Sequence, residues 1–322
     1  MKIHCVEKMF KIGIVGAGII AKSHAEAIRR NQECTVVAVA DIAVEKASEI
    51  AAPFDAAVYT DYHELCKKSD LDAVIINLPH FLHCEATCFF LENKVNVYVE
   101  KPMAMNVEEC DKMIAVAKEN NVFLGVGHVQ QYTEAHRCLK KMIQSEELGK
   151  LLRVTEVRNA NYFAGRPAWF LDKERSGGGI VMNLGAHTLD KLYYLTDSTL
   201  EDVCSIYTNK VNDYSIEEGA QILGRLSCGA SVVCSYTGTT GGTTYETMFY
   251  FEKGVARVIA SEKLSVYRND QWEELVNSGG NMFDKGIQAL VKALKGEKSD
   301  ITTAEHARAV IQGIMKVYQN RL

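Results

Sequence analysis

Two residues far apart in the chain have the types needed to manage a proton while a hydride moves. Lys101 stands in Glu100-Lys101-Pro102, and His187 closes a glycine-rich run that begins Gly177-Gly178-Gly179 and continues through Asn183 to His187 and Asp190. An ammonium beside a reacting oxygen stabilises negative charge developing there and lowers an alcohol's pKa. Imidazole takes or returns a proton near neutral pH, which suits His187 as general base in oxidation and general acid in reduction. A packed histidine at a domain seam and a solvated lysine at a strand end are the plain alternatives. Upstream of both is Gly16-Ala17-Gly18-Ile19-Ile20-Ala21, with Asp41 twenty positions after Ala21. Gly16 permits a sharp turn, and Gly18 lets the backbone approach a pyrophosphate seated on the helix N-terminus that Ile19 and Ile20 open. Ala21 keeps that helix close to the sheet. Asp41 can accept from both hydroxyls of an adenosine ribose and would repel a 2′-phosphate. No arginine follows in Ile42-Ala43-Val44, so NAD is expected rather than NADP. A helix-capping role for Asp41 is compatible with this.

The elements that must position these residues follow from hydrophobic periodicity. Strands are expected at Phe10–Val15, Thr35–Ala40, Ala57–Tyr59, Ala73–Asn77, Asn96–Val99 and Phe123–Val126, alternating with helices at Ile19–Asn31, Val44–Ala51, Tyr62–Lys68, Phe81–Asn93 and Val107–Asn120. Asn106 and Glu109 form a capping box for the last of these. Such alternation with short connections predicts a doubly wound parallel sheet over residues 1–127. Beyond Gly127 the rhythm changes. One helix, Glu134–Gln144, precedes strand-like runs at Leu151–Tyr162, Asp202–Val211, Gln221–Ser227, Ala230–Tyr236, Thr247–Phe251, Val255–Ile259 and Leu264–Tyr267, with hairpin turns at Cys228-Gly229 and Lys253-Gly254. Residues 128–322 therefore read as an α+β domain on a mainly antiparallel sheet, ending in two amphipathic helices.

Composition narrows the function classes. The 322 residues carry 47% hydrophobic and 24% charged side chains, enough for a large core. A net charge of -5 without a basic block argues against nucleic acid or an anionic membrane as partner. Ten cysteines include no Cys-x-x-Cys pair, which favours small buried hydrophobes in a reducing compartment over disulfides. Met1–Lys8 has no apolar leader core, and no run approaches the ~18 apolar residues of a membrane span, so a cytoplasmic location is expected. His80, His83 and Cys84 lack further clustered ligands, so no metal is expected. His24 on the first helix is read as a packing residue.

At these motifs the chain closely resembles the glucose–fructose oxidoreductase / inositol dehydrogenase / rhizopine-catabolism family over nearly its whole length. The resemblance includes the fingerprint, the loop Asn77-Leu78-Pro79-His80-Phe81-Leu82-His83, Glu100-Lys101-Pro102, Gly125-Val126-Gly127-His128, and the segment ending in His187-x-x-Asp190. It implies a Rossmann domain followed by an open-sheet domain that makes dimer or tetramer contacts, and NAD(P)-linked redox chemistry on sugars, cyclitols and related polyols. It implies that Asn77, Pro79, His83, Glu100 and Lys101 join Gly16, Gly18, Ile19, Ile20 and Asp41 around the cofactor. Lys101 then touches both nicotinamide ribose and substrate oxygen, Glu100 holds the lysine or the cofactor, and a cis Lys101–Pro102 bond is compatible with a tight functional turn. Tyr162, Arg166 and Trp169 lie in a segment that lines the substrate cleft of relatives. Core packing is the alternative for Tyr162 and Trp169.

Asn183 departs from the aspartate that many members carry four residues before the histidine. An amide cannot raise the imidazole pKa as a carboxylate would, though it can still bond substrate hydroxyls. Asp190 is left either orienting His187 or capping. Gln130-Gln131-Tyr132 stands where relatives often have arginines, which weakens the case for an anionic sugar. The expected function is NAD(P)-dependent hydride transfer at a secondary hydroxyl or ketone of a sugar or cyclitol. Two alternatives remain: a glycoside-cleaving enzyme that oxidises, eliminates and recycles NAD, and a non-catalytic nucleotide-binding sensor.

Overall fold

The computed structural model describes residues 8–208, 211–278 and 280–322. The first sheet is built from the expected apolar runs: β1 (Phe10–Val15), β2 (Cys34–Ala40), β3 (Ala57–Tyr59), β4 (Ala73–Ile76), β5 (Asn96–Val99) and β6 (Leu124–Val126). They lie in the order β6-β5-β4-β1-β2-β3, all parallel. The order reverses between β1 and β4, the crevice where such sheets bind ligands. Helices α1 (Ile19–Arg30), α2 (Val44–Ala51), α3 (Tyr62–Lys68), α4 (His83–Glu92) and α5 (Val107–Asn120) connect them. Asn106 caps α5 by accepting from the Glu109 amide at 2.8 Å, while the Glu109 carboxylate reaches back to the Met105 amide.

After α6 (Glu134–Gln144) the chain forms a second sheet from β7 (Leu151–Asn161), β8 (Leu200–Tyr207), β9 (Gly219–Leu226), β10 (Ser231–Thr237), β11 (Thr239–Phe251), β12 (Gly254–Ile259), β13 (Lys263–Arg268) and β14 (Gln271–Asn277). Its order is β14-β13-β12-β11-β7-β10-β9-β8, antiparallel except where β7 meets β10. Between β7 and β8 come the short α7 (Lys173–Ser176) and α8 (Ala186–Thr196). Helices α6, α8 and α10 (Ala304–Gln319) contribute Leu139, Leu192 and Ile311 to the core beneath one sheet face. The opposite face leaves Val157, Ile206, Leu223 and Val233 exposed, with Leu223 and Val233 directly paired across β9 and β10.

Several expected boundaries move. The strand expected at Asp202–Val211 runs from Leu200 to Tyr207; residues 209–210 of that expectation lie outside the described residues. The strand expected from Thr247 begins at Thr239, and β14 was not foreseen. The largest revision is topological. Helix α9 (Met282–Leu294) returns to the first sheet, packing Ile287, Leu290 and Val291 with Ile12, Ile14 and Ile28. A two-residue strand, β15 (Thr302–Thr303), then adds antiparallel to the β6 edge. Residues 282–303, expected within the second domain, thus complete the first one.

Candidate active site

The fingerprint turn has the shape its residues imply. Gly16 adopts φ +87°, and a Cβ there would meet the Asn77 carbonyl oxygen at 2.6 Å, so any side chain would push β1 and β4 apart. Gly18, the N-cap of α1, faces open space, and Ile19 beyond it is 81% exposed. The first-turn amides of α1 are therefore available to an anion. Asp41 follows β2 and accepts from the Ala17 amide at 2.6 Å and the Ala43 amide at 2.8 Å. It ties the fingerprint to the start of α2, and each carboxylate oxygen keeps a second lone pair for a hydroxyl. Ile42, 92% exposed beside it, offers an apolar surface that sequence reasoning did not single out. A dinucleotide fits these features: an open backbone at Gly18, unfilled helix amides, and a carboxylate at the end of the second strand.

At the next strand ends stand Asn77 and Lys101. Asn77 is fixed through its amide to the Val15 carbonyl, and its Oδ1 is buried without a hydrogen-bond partner. Lys101 follows β5, with a cis bond to Pro102. Glu100 beside it is buried. It accepts from the Lys101 amide at 3.1 Å and lies 2.8 Å from His24 Nε2. Burial alone would raise the Glu100 carboxyl, but His24 and the Lys101 charge hold it below the usual range. His24 thus does more than pack: it is wedged edge-on between Tyr98 and Phe283 and anchors Glu100. Lys101 itself is lowered to about 8, mainly by burial, with Arg158 and Arg166 adding to the shift and Glu100 opposing it.

His83, expected at the cofactor, is instead wholly buried. Its ring nitrogens lie 2.8 Å from the Pro102 and Leu78 carbonyl oxygens, so it ties the Lys101 turn to the Asn77–Pro79 loop. His80 is buried too, with Nδ1 2.8 Å from the Ser176 carbonyl, against Trp169 and Phe170; burial lowers it to about 3. Trp169 therefore packs on that loop. Tyr162 lies just past β7 beneath the Arg166 guanidinium, which also bonds the Tyr162 carbonyl through Nε.

The glycine-rich run wraps a single carboxylate. Glu217 accepts from the Gly179 and Val181 amides and from the Tyr318 hydroxyl, and a Cβ on Gly179 would meet the Glu217 carbonyl at 2.0 Å. Residues Val181–Gly185 then form a π-turn entering α8, a distortion often found at functional sites. Asn183 sits in it, buried, with Nδ2 donating to the Gly179 carbonyl at 3.0 Å. His187 in the first turn of α8 remains partly exposed, and its Nδ1 has no hydrogen-bond partner among the described residues. Burial holds its imidazole well below the ordinary value, helped by Lys101, Arg158, His128 and Lys191 in that order. The Lys101 charge is thus felt at the His187 imidazole.

Asp190 does not orient His187, the expectation left open above. It lies wholly buried between His306 Nε2 at 2.9 Å and His128 Nδ1 at 3.6 Å, joining α8 to α10 and the end of β6. Gln130 and Gln131 are also structural. Gln131 Nε2 donates to Thr302 Oγ1 at 2.6 Å, and Gln130 Oε1 accepts from the Tyr245 hydroxyl at 3.0 Å. Two buried partnerships had no signal in the sequence: His24 with Glu100, and Glu156 on β7 with Lys191 on α8. Among the described residues no cluster of three or more His, Cys, Asp or Glu is arranged to hold a metal. No helix there is long and apolar enough to cross a membrane.

Comparison with known proteins supports the fold and the NAD-binding reading. Residues 10–128 match the model of an oxidoreductase family with an NAD-binding Rossmann fold, and residues 136–257 match that family's C-terminal domain. The chain is similar to the 2,7-anhydro-N-acetylneuraminate hydratase of Mediterraneibacter gnavus, 32% identical over 59% of this chain but only 50% of that protein. It is 25% identical to the myo-inositol 2-dehydrogenase of Thermotoga maritima, covering 90% of this chain and 79% of that one. Among solved structures, an Agrobacterium radiobacter oxidoreductase crystallised with NAD+, L-tartaric acid and magnesium superposes with a TM-score of 0.86 at 17% identity, covering 97% and 96% of the two chains. The chain belongs to the glucose–fructose oxidoreductase / inositol dehydrogenase / rhizopine-catabolism family of NAD-binding oxidoreductases.

Proposed function

We propose that this enzyme moves a hydride between NAD and a secondary hydroxyl or ketone of a sugar, cyclitol or sugar derivative. What supports the reading is that the Lys101 charge acts on the His187 imidazole and that both groups are pushed down from their ordinary values. When bound, the nicotinamide supplies the hydride acceptor or donor. Gly16, Gly18 and the amides of Ile19 and Ile20 would hold the pyrophosphate. Asp41 would hold the adenosine ribose, and Asn77, Pro79, Glu100 and Lys101 would surround the nicotinamide end. The Asp41 carboxylate favours NAD over NADP, because a 2′-phosphate would meet its charge.

Within that frame the roles divide by charge. Lys101, still largely protonated at pH 7, donates to the substrate oxygen and stabilises the negative charge that builds as its proton leaves. His187 is neutral there and free to accept that proton; in reduction it returns the proton to the new alkoxide. Asn183 offers an amide but no charge, which leaves the imidazole low and ready as a base. Tyr162, Arg166 and Trp169 border the entrance. The open sheet face with Leu223 and Val233 is where two or four copies of the chain would associate.

NADH appearance with a panel of sugars and inositols tests the reading. His187→Ala should abolish turnover while calorimetry still finds NAD binding. Undiminished turnover in that variant would remove His187 from the reaction. The hydratase among the relatives favours a second outcome, in which oxidation is transient. Product would then form with catalytic NAD and no net NADH.

A further inference from the structure

One turn along α8 from His187 lies the Glu156–Lys191 pair, both side chains wholly buried and completed by Thr188 and Thr247. That pair leaves no net charge. Two residues on along β7, on the same face of the strand, stands Arg158, about 7 Å further. Four residues back along α8, on the same side of the helix, stands His187, about 6 Å away. Both thus stand one short step from the same ion pair, and the Arg158 charge is felt by both His187 and Lys101.

Arg158 feels the Glu156 charge, but among the described residues no carboxylate bonds it. Its guanidinium carbon lies over the Tyr245 ring, 3.9 Å from the centroid, and Tyr245 is fixed by bonds to Gln130 and Ser261. Among the described residues no acceptor takes any of its N–H groups, and Nη1 is buried without a partner. Burying an unsatisfied donor is costly, and a stacked guanidinium keeps its fork preorganised for a planar or tetrahedral oxyanion. Arg166 repeats the pattern at the mouth. It stacks on Tyr162 and Phe170, bonds one carbonyl, and has no carboxylate partner among the described residues. The charge absent at Gln130-Gln131 is thus supplied from β7, with Gln130 buttressing the ring on which Arg158 rests.

We propose that the substrate carries an anionic group, carboxylate or phosphate, held by the Arg158 guanidinium with Arg166 assisting at the mouth of the cleft. This rests on the reading that the cleft of Lys101 and His187 receives the substrate. The test is calorimetric binding to the NAD-loaded protein of D-glucuronate and D-glucose 6-phosphate against D-glucose and myo-inositol, with NADH formation followed in parallel. At least one anionic sugar should bind roughly ten- to a hundredfold more tightly than the neutral ones, the span of a charge-assisted hydrogen-bonded contact. Which of the two it is identifies the oxyanion. Arg158→Met should erase most of that ratio, and Arg158→Lys should restore only part, because the charge returns without the fork. Anionic sugars binding no better than neutral ones overturns the inference, as does a ratio unchanged in Arg158→Met. Should Arg158→Met fail to fold, Arg166→Met and the parent's ratio decide the matter. Neutral sugars oxidised in a Lys101-dependent way without anion preference would defeat this inference and leave the proposed reaction standing. Arg158-dependent anion binding without turnover of any sugar would do the reverse.

Discussion

Lys101 should cost the fold stability that its chemistry requires. Burial, reinforced by Arg158 and Arg166 and opposed by Glu100, takes the ammonium from the usual 10.5 to about 8. At 1.36 kcal/mol per pH unit, that interval corresponds to about 3 kcal/mol against holding the charge in the folded cleft at neutral pH. This is a ceiling, since Lys101 is partly exposed and water in an open cleft screens it. The sign follows from proton binding. The unfolded chain keeps the Lys101 proton up to about pH 10.5, whereas the folded chain releases it near 8, so the penalty is full below 8 and fades towards 10.5. Lys101→Met removes the charge and keeps an apolar stem. Urea unfolding of the cofactor-free protein at pH 7 should find the variant more stable by up to about 3 kcal/mol. The difference should shrink steadily as the pH is raised through that window. Its turnover should fall by roughly a hundredfold or more, as when one preorganised charge at a reacting oxygen is lost. A variant less stable than its parent at pH 7, or a difference that ignores pH, would refute this account of the lysine.

Three further outcomes are expected. The kcat/KM for oxidation should rise with pH on a limb well below 6.5, as His187 becomes neutral, and fall near 8 as Lys101 loses its proton. Asn183→Asp should move the lower limb upward because a carboxylate favours imidazolium; an unmoved limb would place Asn183 out of reach of the base. Asp41→Ala should weaken NAD and narrow its advantage over NADP in calorimetry, whereas equal or tighter NADP binding by the parent would end the cofactor assignment. Leu223→Glu with Val233→Glu should shift the light-scattering mass to a smaller species, and a parent already monomeric would contradict association through that face.

Much of the fold was legible because its elements are short and strongly periodic. The buried runs 12–15 of β1 and Ala73–Ile76 of β4, and the fingerprint between β1 and α1, fix a parallel sheet with its switch point at Gly16 and Asn77. What escaped depends on partners distant in the chain. Thr302 and Thr303 have no local pattern that marks a strand; they become one only because the β6 edge lies alongside them. The apolar face of α9 was visible in Ile287, Leu290 and Val291, but periodicity does not tell which of two cores a face will cover.

The site was legible in the same uneven way. Lys101 and His187 could be named because glycine- and proline-marked motifs surround them, and a backbone that needs those residues leaves a trace in sequence. Arg158 leaves no such trace. In Val154-Thr155-Glu156-Val157-Arg158 a charged residue alternating with valine reads as a strand with its polar side in water. The structure inverts the second half: Glu156 is wholly buried while Val157 is 37% exposed. The inversion is possible only because Lys191 arrives from α8 to neutralise Glu156, and Tyr245 arrives from β11 to support Arg158. A charge turned inward on a strand is expensive unless something answers it. Glu156 has its answer within the chain. Arg158 feels the Glu156 charge and rests on an aromatic ring, but among the described residues nothing accepts from its guanidinium, which is why the proposed anionic substrate group is assigned to it.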